Sequence, residues 1–115
     1  MFAASLLLMT VLVAPPTARQ PGQFTCQPAA PTGEICLIQR DNGYDAGYTN
    51  HNVRSRVDFN LHTNEGTYGS AGDFPSVPGQ INTYFFGVGY KRWAILCLYS
   101  RDFQFVPLCT DPLYT

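Results

Sequence analysis

The sequence predicts an all-β domain, a sandwich of short strands with Greek-key connections, on three observations. The chain holds seven Tyr, eight Phe and one Trp together with ten Gly and nine Pro, a composition of strand formers interleaved with turn formers. Residues Arg54 to Leu61 place Val57, Phe59 and Leu61 at alternate positions, the period of a half-buried strand. No window sustains a helical period.

The elements follow in order. Pro15, Pro16, Pro21, Pro28 and Pro31 make residues 15–33 extended and irregular, because proline fixes φ and lacks a donor. Glu34 to Arg40 reads as a strand closed by the turn signal Asp41-Asn42-Gly43. Tyr44 to Asn52, rich in Gly, Asn and Tyr, reads as a loop or bent hairpin. After the strand at Arg54–Leu61, residues Thr63 to Gln80 form a long polar stretch with isolated Tyr68, Phe74 and Val77. Ile81 to Val88 is the next strand, and Trp93 to Tyr99 is apolar enough for a central one. Phe103 to Val106 supplies another strand, and Pro107 demotes the run towards Cys109 to an edge.

The first fourteen residues are apolar and uncharged. That is too short for a bilayer span and fits the core of a secretory leader ending at Ala14 or Ala18. It lacks the Lys or Arg that ordinarily precedes such a core. The expected organisation is a leader over 1–18 and one secreted domain over 19–115. Export makes disulfides the natural use of Cys26, Cys36, Cys97 and Cys109. Three pairings are possible; Cys26–Cys36 with Cys97–Cys109 is preferred because short loops close readily, each stabilising by roughly 3 kcal/mol. No C-x-x-C knuckle supports zinc, and no cofactor is expected.

The formal net charge is −1 and charged residues are 13% of the chain, so no basic footprint for nucleic acid or anionic lipid exists. A monomer with an extracellular protein partner, and no membrane partner once the leader is removed, is the expectation.

Two stretches nearly repeat: Cys36-Leu37-Ile38-Gln39-Arg40-Asp41 and Cys97-Leu98-Tyr99-Ser100-Arg101-Asp102. Cys97-Leu98-Tyr99, the Gly33-Glu34-Ile35-Cys36-Leu37-Ile38 strand, the Asp-Asn-Gly-Tyr turn and Gln80-Ile81-Asn82-Thr83-Tyr84 or Asn52 to Val57 as a degenerate Ile-Ser-Ser element together resemble a known group. It is the βγ-crystallin-like secreted proteins of peptidase inhibitor family I36, relatives of a bacterial metalloproteinase inhibitor. The resemblance implies a sandwich of two Greek-key halves, one disulfide in each, inhibiting a secreted metallopeptidase by blocking its cleft. Ca²⁺-binding members carry oxygen ligands before Ile-Ser-Ser. Here Pro78-Gly79 stands at one such place, and the other replaces the second Ser by Arg56, leaving Asp41, Asn42 and Asn52 as the only Ca²⁺ candidates.

No catalytic constellation assembles, and the chain is not expected to be an enzyme. A small ribonuclease would draw proton-transfer groups from His51, His62 and Glu65, with Arg54 and Arg92 for phosphate, but these read as solvated loop side chains. Lys91-Arg92 reads as solvated cations opening a strand. For inhibition, Phe74, Pro75, Ser76 and Val77 offer apolar anchors in an extended loop whose rigidity lowers the entropic cost of binding. A secreted toxin or effector that binds without inhibiting is the alternative.

Overall fold

The computed structural model describes residues 22–29, 33–51, 54–100 and 108–114. The leader, Asn52, the second Arg-Asp pair and the strand expected at Phe103–Val106 lie outside them. Ten strands are formed, β1 (Phe24–Ala29), β2 (Gly33–Arg40), β3 (Gly43–Asn50), β4 (Ser55–Thr63), β5 (Gly66–Gly69), β6 (Phe74–Ser76), β7 (Ile81–Phe86), β8 (Trp93–Ser100), β9 (Leu108–Cys109) and β10 (Leu113–Tyr114). All pairings are antiparallel. Sheet A has the order β1-β2-β3-β7; in sheet B, β8 and β4 are central, with β9 and β10 outside β8 and with β5 and β6 outside β4.

The two sheets share one core. Period-two alternation sends Ile35 and Leu37 of β2, Tyr44, Ala46 and Tyr48 of β3, and Phe86 of β7 inward from sheet A. Val57, Phe59 and Leu61 of β4 meet them with Ala94, Leu96 and Leu98 of β8. This is the β-sandwich the alternation predicts.

Three expectations need correction. Tyr44 to Asn50 is not a loop but a central strand with Tyr44 and Tyr48 fully buried; its glycine and asparagine content hides an alternation of inward Tyr-Ala-Tyr with outward Asp45, Gly47 and Thr49. The proline-rich stretch before Glu34 contains β1, which tolerates Pro28 because it is an edge strand and needs no donor on its open side. The polar stretch after Thr63 contains β5 and β6, both laid along the same side of β4. Within sheet A, β1, β2 and β3 are spatial neighbours in chain order, a meander.

Close approaches fix the turns. A Cβ on Gly43 would stand 2.0 Å from the Phe86 carbonyl oxygen, so the Asp41-Asn42 turn must be followed by glycine where β7 begins to leave β3. Val77-Pro78-Gly79-Gln80 is closed by Gln80 N–H donating to the Val77 carbonyl at 3.0 Å, with Gly79 at φ 86°, the type II arrangement of proline then glycine. At the same end, the buried amide of Asn50 donates to Ser76 Oγ at 2.9 Å and Ser76 Oγ donates to Asn82 Oδ1 at 2.6 Å. That chain of side chains ties β3 and β7 of sheet A to β6 of sheet B.

The disulfides pair Cys26 with Cys36 and Cys97 with Cys109, as short-loop closure predicts. Each joins directly facing residues of adjacent strands, and the next residue in each repeat, Leu37 or Leu98, enters the core.

One inward polar side chain stands apart from the others. Gln39 on β2 is fully buried, and neither its amide nitrogen nor its oxygen has a hydrogen-bond partner. A buried unsatisfied polar group costs about 1–3 kcal/mol. Gln39→Met, close in volume, is therefore expected to raise the melting temperature, by roughly 4–8 °C for each 1 kcal/mol recovered in a domain of this size; differential scanning calorimetry measures it.

Candidate functional site: the outer face of sheet B

The alternation that buries Val57, Phe59 and Leu61 turns Arg56, Asp58, Asn60 and His62 of β4 to the outer face of sheet B. On β8 the outward set is Trp93, Ile95, Cys97 and Tyr99, because Ala94, Leu96 and Leu98 fill the core. Register places Tyr99 opposite Asp58, Cys97 opposite Asn60 and Ile95 opposite His62. Tyr114 of β10 lies opposite Trp93 and is exposed. A polar stripe thus runs beside an aromatic and apolar one.

At one end the stripe opens into a cleft of about 480 Å³ lined by Arg56, Asp58, Gly72, Asp73, Tyr99 and Ser100. Its wall is a break in the edge of sheet B. Between Gly69, which faces Asn60, and Phe74, which faces Val57, residues 70–73 stand opposite only Asp58 and Phe59, so the edge bulges outward. Ser70 closes the gap in the ladder: its N–H donates to the Phe59 carbonyl at 2.9 Å and its Oγ accepts from Phe59 N–H at 3.1 Å. Arg56 clamps the far side, its Nε and Nη2 donating to Asp73 Oδ1 at 3.2 and 3.0 Å and Nη2 also to the Asp73 carbonyl at 3.1 Å. The cleft therefore presents a guanidinium, a carboxylate and a phenol ring on β4 and β8, with a second carboxylate from the bulge.

The Phe74–Val77 segment is placed differently from an exposed loop. Phe74 and Ser76 belong to β6; Phe74 packs on Phe59 with ring centroids 5.4 Å apart, and Ser76 is fully buried. Val77 is half-buried, its N–H accepted by Gln80 Oε1 at 3.1 Å, and Pro75 alone of the four is exposed. Two-residue alternation, hidden by the prolines, explains the inward turn of Phe74 and Ser76. Asp41 and Asn42 form the exposed turn between β2 and β3. Among the described residues, the one group of three or more His, Cys, Asp and Glu side chains close enough to share a metal is Cys26, Glu34 and Cys36, whose thiols are bonded to each other.

The ribonuclease candidates are not assembled around one centre. His62 lies on the outer face with Nδ1 3.1 Å from Thr67 Oγ1, and Glu65 in the β4–β5 turn accepts from Lys91 Nζ at 2.7 Å. His51, Arg54 and Arg92 are exposed. Asp58, Asp73 and Tyr99 are the site residues that residue-type reasoning passed over. The outward half of the alternation that identified Val57, Phe59 and Leu61 points to Asp58; Tyr99 comes beside it only through the β4–β8 register, and Asp73 only through the bulge.

Lys91 corrects the reading of Lys91-Arg92 as solvated cations. Its side chain is 8% exposed, paired with Glu65 and 5.6 Å from the Tyr68 ring centroid. Its backbone is held by Tyr44, whose hydroxyl accepts from Lys91 N–H at 3.1 Å and donates to the Lys91 carbonyl at 3.3 Å. A core tyrosine of sheet A thereby anchors the crossover into β8. Arg92 alone faces solvent, with Asn64 Oδ1 accepting from its N–H at 2.7 Å.

Comparison of the chain with protein-family models, curated proteins and solved structures returned no match.

Burial pushes the Tyr44 phenol above its ordinary value, against its bonds to Lys91, and the hydrogen bond that Lys91 donates to Glu65 holds Lys91 above the usual lysine value. For both groups the folded-state pKa exceeds the unfolded one, so their stabilisation is complete below the unfolded values and is lost as pH rises through the raised folded ones. Stability measured by chemical denaturation is expected to be level in these terms up to about pH 10 and to fall above it. Tyr44→Phe should flatten that alkaline fall while lowering stability at neutral pH; an unchanged alkaline slope would refute the assignment.

Proposed function

We propose that the chain is a secreted binding protein that holds an extracellular protein against the outer face of sheet B, and that this protein is a metallopeptidase. The observation that carries the binding face is the cleft at Arg56, Asp58, Asp73 and Tyr99. Tyr, Trp and Arg dominate the energetics of protein interfaces, and Arg56, Trp93, Tyr99 and Tyr114 bring these types to one sheet face. The platform is strand and disulfide rather than mobile loop, which keeps the ordering cost of association low. The disulfides also accord with export.

The choice of a peptidase rests on the resemblance to crystallin-like inhibitors. The matched Cys-Leu strands support it. The meander of β1–β3 departs from two equivalent Greek keys. The projecting contact in this reading is the bulge, where Ala71 and Gly72 are exposed beside the cleft, rather than Phe74 and its neighbours.

Titration of a thermolysin-type metallopeptidase tests the reading. Activity is expected to fall in proportion to added protein, to vanish at equivalence, and to need at least roughly tenfold more of the Asp58→Ala or Tyr99→Ala variant. Phe74→Ala should instead lower the melting temperature, costing about 2 kcal/mol for a half-buried ring, with inhibition retained below the transition. Undiminished peptidase activity would sink the peptidase as target, and growth arrest of a competing cell in that case would favour a toxin or effector.

A further inference from the structure

The two sheets have four outer edges, and three carry devices that block further strand pairing. β1 contains Pro28 and is bonded through Cys26 to Cys36. The β5–β6 edge is interrupted by the bulge and contains Pro75. β9 and β10 are two residues long each. Short strands, prolines and bulges are the ways native sheets protect edges. β7 has none of them: Ile81-Asn82-Thr83-Tyr84-Phe85-Phe86 is six residues long, without proline, glycine or charge. Among the described residues no strand pairs with its far side.

Two of its three exposed side chains are apolar where solvation would favour polar ones, with Thr83 between them. Tyr84 and Phe86 turn inward and meet edge to face at 4.8 Å, whereas Ile81 is 66% and Phe85 44% exposed on the outer face. The backbone is oriented to match. Asn50 N–H donates to the Gln80 carbonyl at 2.9 Å, so the alternation of an antiparallel ladder commits the backbone groups of Asn82, Tyr84 and Phe86 to β3. Those of Ile81, Thr83 and Phe85 are left directed at the open edge.

We propose that β7 pairs with β7 of a second copy of this chain, antiparallel about a two-fold axis at Thr83, joining two copies of sheet A into one continuous sheet. The register is self-complementary. With Thr83 facing its symmetry mate, Ile81 of each copy faces Phe85 of the other, and these hydrogen-bonding pairs consist of residues whose backbone groups point to the open edge, alternating with the non-bonded pair of Asn82 and Tyr84. Aromatic with β-branched and Thr with Thr are among the favourable cross-strand pairs, and no charge opposes the approach. A single six-residue edge buries less than a standard stable interface, so the dimer forms reversibly and depends on concentration. It leaves the outer face of sheet B free and stands independently of the function proposed above.

Sedimentation velocity of the purified protein over a concentration series up to roughly 1 mM tests this. The weight-average mass is expected to move from one chain towards two. Thr83→Lys, which sets two ammonium groups against each other at the axis, should raise the dissociation constant at least tenfold. Thr67→Lys, a charge on the β5 edge, should leave it unchanged. As a second measurement, Thr83→Cys should yield a disulfide-linked dimer on mild oxidation, whereas Thr67→Cys should not. A monomer at every concentration, a Thr83→Lys protein that associates like the parent, or equal cross-linking of the two cysteine variants would overturn the proposal.

Discussion

Register is the constraint on which this fold depends. With no helix among the described residues and one shared core, the core side chains are assigned to the interior by the parity of their positions in the strands. A slip of one residue would exchange core and surface along a whole strand. The disulfides act at this point. Cys26 faces Cys36 and Cys97 faces Cys109, so each bond couples an edge strand to its neighbour in one register only. The covalent link keeps Leu37 and Leu98 in the core and, by the same parity, keeps Arg56, Asp58 and Tyr99 together on the outer face of sheet B.

Parity also explains how the sheets are held at their ends, where apolar packing runs out. At one end Asn50, Ser76 and Asn82 form a hydrogen-bonded chain across the two sheets. Ser76 and Asn50 can be buried because their polar atoms have partners. At the other, Tyr44 reaches from β3 to both backbone groups of Lys91, and Lys91 turns back to Glu65 on the β4–β5 turn. Gln39 is the exception, an inward amide with no partner. Its neighbours at alternate positions, Ile35 and Leu37, show what the position ordinarily holds.

What was legible in the sequence follows from this. Strands whose central inward residues are aliphatic or Phe (β2, β4 and β8) were readable, as was the short-loop disulfide pairing. β3 was not, because Tyr44 and Tyr48 are interleaved with Gly47 and Thr49, residues common in turns, and only the partner strands show that the tyrosines are buried. β5 and β6 escaped for another reason. They are two fragments of one edge separated by the bulge at residues 70–73, and no local window contains enough of either to show a period. The cleft was illegible in consequence, since Asp73 reaches Arg56 only through that bulge, while Tyr99 reaches Asp58 only through the β4–β8 register.

The two outer faces then differ in what their residues do for the fold. On sheet B, Arg56 is fixed by Asp73 and Ser70 repairs the ladder around Phe59, so outward residues beside the cleft also stabilise the bulge that shapes it. β7 differs. Asn82, Tyr84 and Phe86 supply the inward contacts, and the pairing with β3 uses their backbone groups, so the outward Ile81 and Phe85 add nothing to the core. Polar residues would serve the strand as well at those two positions and would dissolve better. The packing of the described residues does not account for an isoleucine and a phenylalanine there. The parity that isolates them from the core aligns them along the open edge.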